Sequence, residues 1–216
     1  MSSGKTTVAV IGGTGNMGYG LALRLSKSYS VTIASRDPDK AAAAATRATR
    51  QSGATVEGGA NVEAAALCEI AILAVPDLPS SDFLASLAPG LQEKLVISPI
   101  VPLTVKAGVF TISIEGESAA ERVAKGLPAA RVASAFQTVP SPMLTKLDEA
   151  LDYDVLVTAD SKEVYLEAAK VVSSIGKLRP LYAGPLAVSR QVEAITPAIL
   201  NAMKFNKLNS PSIKLV

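Results

Sequence analysis

The sequence predicts an α/β protein with a mostly parallel sheet. Three observations carry this. Short β-branched runs free of charge alternate with alanine- and leucine-rich stretches through the first half of the chain. A glycine-rich turn directly follows the first run. The chain, at 216 residues and 49% hydrophobic, is long enough to bury a sizeable core.

The runs Thr7–Ile11, Val31–Ser35, Ile70–Val75 and Leu95–Ser98 suit strands covered on both faces, as parallel strands are. Between them the spacing predicts helices at Met17–Ser28, Pro38–Gln51, Asn61–Cys68 and Ser81–Ala88. The tract Ala41–Ala45 reads as helix, because alanine is the best helix former. The second half predicts strands at Phe110–Ile114, Arg131–Phe136, Asp154–Thr158 and Leu178–Tyr182. Helices are expected near Ser118–Lys125, at Lys162–Ile175 and over Leu186–Phe205, the last with apolar residues at helical spacing and Pro197 kinking it. The proline-bearing stretch 138–148 suggests a boundary. It would divide a main domain, 1–145, from a smaller C-terminal α/β lobe, 146–216.

Composition excludes several chemistries. Histidine is absent, so no imidazole serves as base, nucleophile activator or metal ligand. The single Cys68 excludes an internal disulfide and any C-x-x-C site, and its apolar neighbours predict a buried thiol. A formal charge of +2, evenly spread, offers no footprint for nucleic acid. The N-terminal stretch lacks a secretory apolar core, and Ile70–Val75 falls far short of the roughly 20 residues that span a bilayer. The expectation is a soluble cytoplasmic protein without metal.

Gly13-Thr14-Gly15-Asn16-Met17-Gly18 is a G-x-G-x-x-G set at the first strand-to-helix turn, where a Rossmann-type dinucleotide fold needs it. Gly13 is expected to permit the tight turn, Gly15 to admit pyrophosphate, and Gly18 to let helix and strand pack closely. The helix would offer its free N–H groups to the phosphates. About 20 residues on, where an NAD enzyme places a carboxylate on the ribose, stand Ser35 and Arg36. A hydroxyl and a guanidinium suit a 2′-phosphate, which favours NADP. With Asp37 as N-cap and Pro38 first in the helix, Lys40 falls in the first turn, where a cation opposes the dipole unless a phosphate is held there. The plainer alternative is an exposed lysine beside Asp39.

Ligands of such sheets lie outside the carboxyl ends of the strands. Those ends read Val75-Pro76, Ser98-Pro99-Ile100-Val101-Pro102 and Gln137-Thr138-Val139-Pro140-Ser141-Pro142. Loops flanked by proline are stiff and apolar, fit to wall a flat ring.

The strings VAVIGGTGNMGYGLALRL, ASRDPDKA, VISPIVP, TVPSPM, LRPLYAGPLAVSRQVEAITPAILNAMKFN and SIKLV resemble the F420-dependent NADP oxidoreductases, from first strand to C-terminus. The resemblance implies an NADP-binding domain and a deazaflavin, coenzyme F420, stacked on the nicotinamide for direct hydride transfer. It places Thr14, Gly15, Asn16 and Met17 on phosphates and Thr14, Ser35, Arg36 and Lys40 around the 2′-phosphate. Val75 would lie near the nicotinamide, and Val101, Val139, Ser141 and Pro211 near the deazaflavin. Where the family carries histidine this chain has Gln137, expected to donate one hydrogen bond to a ring carbonyl. Asp77-Leu78-Pro79 replaces an aromatic-acid-histidine run. Lys204, Lys207, Lys214 and Arg190 are candidates for the acidic deazaflavin tail. The family and the apolar last helix together suggest a homodimer. The altered crevice leaves two rivals: an NADPH-dependent reductase of an imine, free flavin or ferric iron, and a non-catalytic NADP(H) sensor.

Overall fold

The computed structural model describes residues 4–216. In chain order the elements are β1 (Thr7–Ile11), α1 (Asn16–Leu25), β2 (Ser30–Ser35), α2 (Pro38–Ser52), β3 (Val56–Ala60), α3 (Asn61–Leu67), β4 (Ile70–Leu73), α4 (Ser81–Leu87) and β5 (Leu95–Ser98). A hairpin of β6 (Leu103–Lys106) and β7 (Val109–Ile112) follows, then α5 (Ala119–Gly126), β8 (Arg131–Ser134) and the short α6 (Ser141–Leu144). The chain closes with β9 (Asp154–Ala159), α7 (Lys162–Ser173), β10 (Arg179–Gly184) and α8 (Ser189–Asn206).

Eight strands form one sheet in the order β10-β9-β8-β5-β4-β1-β2-β3. From β3 to β8 every neighbour is parallel; β9 runs antiparallel to β8, and β10 parallel to β9. Alternate residues of the central strands feed two cores. Val8, Val10, Ile72 and Ile97 face the cluster closed by α1, α2 and α7, while Ala9, Ile11, Leu73 and Val96 face that of α3, α4 and α5.

Several elements differ from the expectation, among them β6 and the short α6, for which no strand or helix is expected. β3, Val-Glu-Gly-Gly-Ala, lacks the β-branched signature because α2 lies directly on it: a Cβ at Gly58 would sit 2.7 Å from the backbone of Ala41. The strand expected at Phe110–Ile114 is the return arm of a hairpin, turned by Ala107 and Gly108 with φ of +49° and +76°. Asn201 of α8 seats this hairpin, accepting from the Phe110 N–H and donating to its carbonyl at 2.9 Å each. The predicted last helix begins as a 3₁₀ turn, Leu186–Val188, before α8.

The stretch 138–148 does not separate two cores. β9 and β10 extend the same sheet, and one cluster contains Val10, Val139, Val157 and Val172 together. The C-terminal residues complete the first half's core rather than a core of their own. Buried Arg24 of α1 ties the stretch down, donating to the carbonyls of Leu144 at 2.9 Å and Met143 at 3.0 Å and also to Lys146. Among the described residues no helix is long and apolar enough to cross a membrane.

Candidate functional site

The chain leaves β1 through Gly12, whose φ of +73° is a left-handed conformation that costs glycine little. Gly12, outside the expected six-residue motif, therefore makes the turn assigned to Gly13. Gly13 is required for a different reason: its Cβ would lie 2.6 Å from the Val10 carbonyl oxygen. Its N–H donates to Val10 at 3.1 Å and to Ala34 at 2.9 Å, pinning the loop between β1 and β2. Gly18 packs as expected, with a Cβ position 2.7 Å from Gly13 Cα and 3.1 Å from Ala74 Cβ. Gly15 faces open space; the nearest atom to its Cβ position is the Gly12 oxygen at 4.0 Å. α1 begins there with no side-chain cap and no acidic residue in its first turn, so its N–H groups remain open to an anion. Asn61, at the start of α3, accepts from the Gly12 N–H at 3.4 Å and fixes the loop from the far side. The Gly12-Gly13 doublet was a visible signal; nothing in the sequence pointed to Asn61.

At the end of β2, Ser35 is buried and its hydroxyl oxygen accepts from the Asp37 N–H at 3.2 Å, leaving its O–H free to donate. Arg36 is exposed and makes no hydrogen bond or ion pair among the described residues. Asp37 caps α2 through the Lys40 N–H at 3.2 Å and pairs with Lys40 Nζ at 3.4 Å. The backbone bond from Lys40 holds the Asp37 carboxyl below its usual range. Asp37, not a free helix end, therefore already answers the dipole and the Lys40 charge. A phosphate here would meet Ser35, Arg36 and the outer face of Lys40.

β1 and β4 are neighbours whose next partners lie on opposite sides, so their carboxyl ends open the crevice at the switch point. Val75, half-buried, lies over the loop with Cγ1 2.9 Å from the Gly12 Cβ position; Pro76 is exposed. A cavity of about 330 Å³ is lined by Met17, by residues 137–142, by Thr196, Ile199, Leu200 and Met203 of α8, and by Ser210 and Pro211. Of the predicted residues, Met17, Gln137, Val139, Ser141 and Pro211 meet here, whereas Val75, Pro76 and Val101 lie outside its lining. Met17 belongs to both the glycine loop and the cavity. The α8 residues were missed as site residues because their apolar spacing reads simply as a core face.

Gln137 does not have the expected role. Its Nε2 is committed to the Ser98 carbonyl at 2.9 Å and to Ser134 Oγ at 2.5 Å, so it has no donor left for a ring carbonyl. Its carbonyl accepts from Thr196 Oγ1 at 2.9 Å. Gln137 thus braces the ends of β5 and β8 against α8. Its Oε1 and Ser98 Oγ are buried without a partner. The preceding Phe136, fully buried, has φ of +75°, a strained backbone for an aromatic residue of the kind that clusters near binding sites.

Two other groups are tuned by burial. The Cys68 thiol is pushed up by burial and stays protonated. Glu193 of α8, fully buried, accepts from Ala119 and Ala120 N–H at 3.0 and 3.2 Å at the start of α5. Burial pushes its carboxyl up to about 7, against those two bonds.

An open parallel sheet, a glycine loop with an uncapped helix behind it, and a hydroxyl and cations at the end of β2 define an oxidoreductase fold of the NADP-linked kind. Residues 7–102 match the family model described as NADP oxidoreductase, coenzyme F420-dependent. The F420-dependent NADP reductase of Methanothermobacter thermautotrophicus is 35% identical over 217 residues, covering 96% of this chain and 94% of that protein. That of Methanocaldococcus jannaschii is 35% identical over 201 residues, covering 89% and 90%. This chain belongs to the F420-dependent NADP reductase family. A solved structure of a protein from Arthrobacter sp. FB24 shares the fold with a TM-score of 0.83 at 22% identity, covering 99% of this chain and 100% of that one.

Proposed function

We propose that the protein transfers a hydride between NADP(H) and the deazaflavin coenzyme F420. One observation carries this reading: a mostly apolar cavity abuts the glycine loop through the shared residue Met17, where a second flat ring would meet a nicotinamide. Asn16, Met17 and the glycine backbone would hold the pyrophosphate; Thr14, Ser35, Arg36 and Lys40 would surround the 2′-phosphate. Val75 would back the nicotinamide, and Val139, Ser141 and Pro211 would wall the deazaflavin, with Val101 on the adjoining loop. NADPH supplies the hydride and the oxidised deazaflavin accepts it, taking a proton from water. The protein's part is then to bind, orient and exclude water, tasks that require no imidazole.

We further propose a cytoplasmic homodimer. Leu103, Val105, Val109, Phe205 and Leu208 are exposed on the hairpin and at the end of α8, an apolar surface a second copy would cover. Light scattering at micromolar concentration should give twice the 22.2 kDa chain mass; a 22.2 kDa particle contradicts the dimer.

The activity is tested by mixing protein, NADPH and oxidised coenzyme F420. Loss of the deazaflavin's visible absorbance, matched mole for mole by oxidation of NADPH, is expected. Tight binding of both without turnover would contradict the reading.

A further inference from the structure

Beyond α8 the chain turns back on itself through two left-handed residues, Lys207 at φ +53° and Ser210 at φ +46°. The strap that follows has no helix or strand of its own. One end of it, Ser210 and Pro211, forms a side of the acceptor cavity. Ser212 Oγ donates to the Thr138 carbonyl at 2.9 Å, tying the strap to the loop that makes the facing wall. The other end is fastened to the sheet. The Asp154 N–H donates to the Ile213 carbonyl at 3.0 Å, and Asp154 Oδ2 accepts from the Leu215 N–H at 2.5 Å. Arg179 donates to the Leu215 carbonyl at 2.6 Å and grips the fully buried Asp154 through two bonds of 2.8 Å.

Asp154 and Arg179 are opposite one another in the β9–β10 register, so pairing those strands is one task they perform. The bonds to Ile213 and Leu215 are not needed for it. A segment with no helix or strand of its own and an exposed end takes its position from such bonds, and bonds to charged groups are the strong ones.

We propose that Asp154 and Arg179 are positioning residues for the acceptor cavity, acting through the strap Ser210–Leu215 whose near end walls it. The inference rests on the reading that this cavity takes the deazaflavin. It makes acceptor affinity, and not NADPH affinity, depend on an ion pair at the far end of the strap.

The test is equilibrium titration of wild type, Arg179→Lys, Arg179→Met and Ser212→Ala with oxidised coenzyme F420, read by its fluorescence, and separately with NADPH. Limited trypsin cleavage at Lys214 reports release of the strap. Loss of one hydrogen bond in Ser212→Ala should raise the deazaflavin Kd about 2- to 10-fold. Loss of the charged latch in Arg179→Met should raise it at least about tenfold, with Arg179→Lys between wild type and Met. NADPH affinity should be unchanged, and cleavage at Lys214 should be faster in Arg179→Met. Equal losses for both ligands, or an unchanged deazaflavin Kd in soluble variants, would overturn the inference while leaving the cavity reading intact. If Arg179→Met does not fold, Ser212→Ala decides by the same criterion. Wild-type protein that fails to bind the deazaflavin would overturn the cavity reading and the inference with it.

Discussion

The glycine-rich end of the crevice comes from one stretch of chain, from Gly12 to Lys40, whereas the cavity proposed for the acceptor is assembled from Met17, residues 137–142, four residues of α8, Ser210 and Pro211. The first has its loop built from backbone, with glycines set by steric limits of a few tenths of an ångström and an uncapped helix start, and only its far end presents side chains, Ser35, Arg36 and Lys40. The second is built from side chains that hold a loop from outside: Thr196 on the Gln137 carbonyl, Ser212 on that of Thr138, Arg24 on those of Met143 and Leu144. A backbone site tolerates almost no substitution. A braced loop should lose function in increments, one brace at a time.

The sharpest break of that contrast is at the glycines. Gly13→Ala sets a Cβ 2.6 Å from a carbonyl oxygen that cannot move freely, so we expect overpacking of about 1–3 kcal/mol in stability and NADPH binding too weak to measure. Gly15→Ala meets only the Gly12 oxygen, at an unstrained 4.0 Å, and should leave the thermal midpoint unchanged while still lowering NADPH affinity by obstructing the pyrophosphate. Calorimetry and NADPH titration of the two variants check this. Equal stability losses would contradict the separate roles.

Arg36→Ala comes next. It should remove charge-assisted bonds of about 1.5–3 kcal/mol, or roughly 10- to 150-fold in NADPH affinity, and leave NADH affinity alone. Parallel losses for both cofactors would remove Arg36 from the 2′-phosphate site.

On the other side of the comparison, Gln137→Ala removes two donors and leaves the buried Ser134 Oγ without its partner, while the Ser98 carbonyl keeps only the Ala135 N–H at 3.2 Å. A cost of about 1–3 kcal/mol in stability is expected, with weaker deazaflavin binding and near-normal NADPH binding. The opposite pattern, NADPH binding lost and acceptor binding kept, would place the brace in the wrong half.

The smallest expected effect is on pH dependence. Glu193 is held up to about 7 in the folded protein against 4.5 ordinarily, so between those values the native state binds a proton that the unfolded chain has lost. Stability should therefore decline as pH rises from about 5 to 8. Glu193→Gln keeps an acceptor for the α5 N–H groups but cannot ionise, and its thermal midpoint should fall less over the same range. Identical pH profiles would show that Glu193 ionises as freely as an exposed carboxyl.

What could be read from sequence follows the same divide. The central strands were legible because burial on both faces demands uninterrupted Val, Ile and Leu, as in Leu95–Ser98. β3 was not, because close contact with α2 demanded glycine at Gly58. Ser35, Arg36 and Lys40 could be placed by counting from Gly15, since one βαβ unit fixes their distance. Asn61, Thr196 and Arg24 could not, because each acts on backbone 49 to 120 residues away. Gln137 is legible as a position near the cavity, but its role is not. Its donors are spent on Ser98 and Ser134, a geometry that only the assembled β5 and β8 ends create.

The central claim, direct transfer between two rings in one crevice, is tested most directly by isotope. NADPH deuterated at its transferring position, mixed with the protein and oxidised coenzyme F420 in ordinary water, should deliver the label quantitatively to the deazaflavin ring carbon. Cys68→Ala should transfer it equally well, because the Cys68 thiol is buried and protonated. Deuterium lost to solvent, or a folded Cys68→Ala protein without turnover, would show that a protein group carries the electrons and contradict the account.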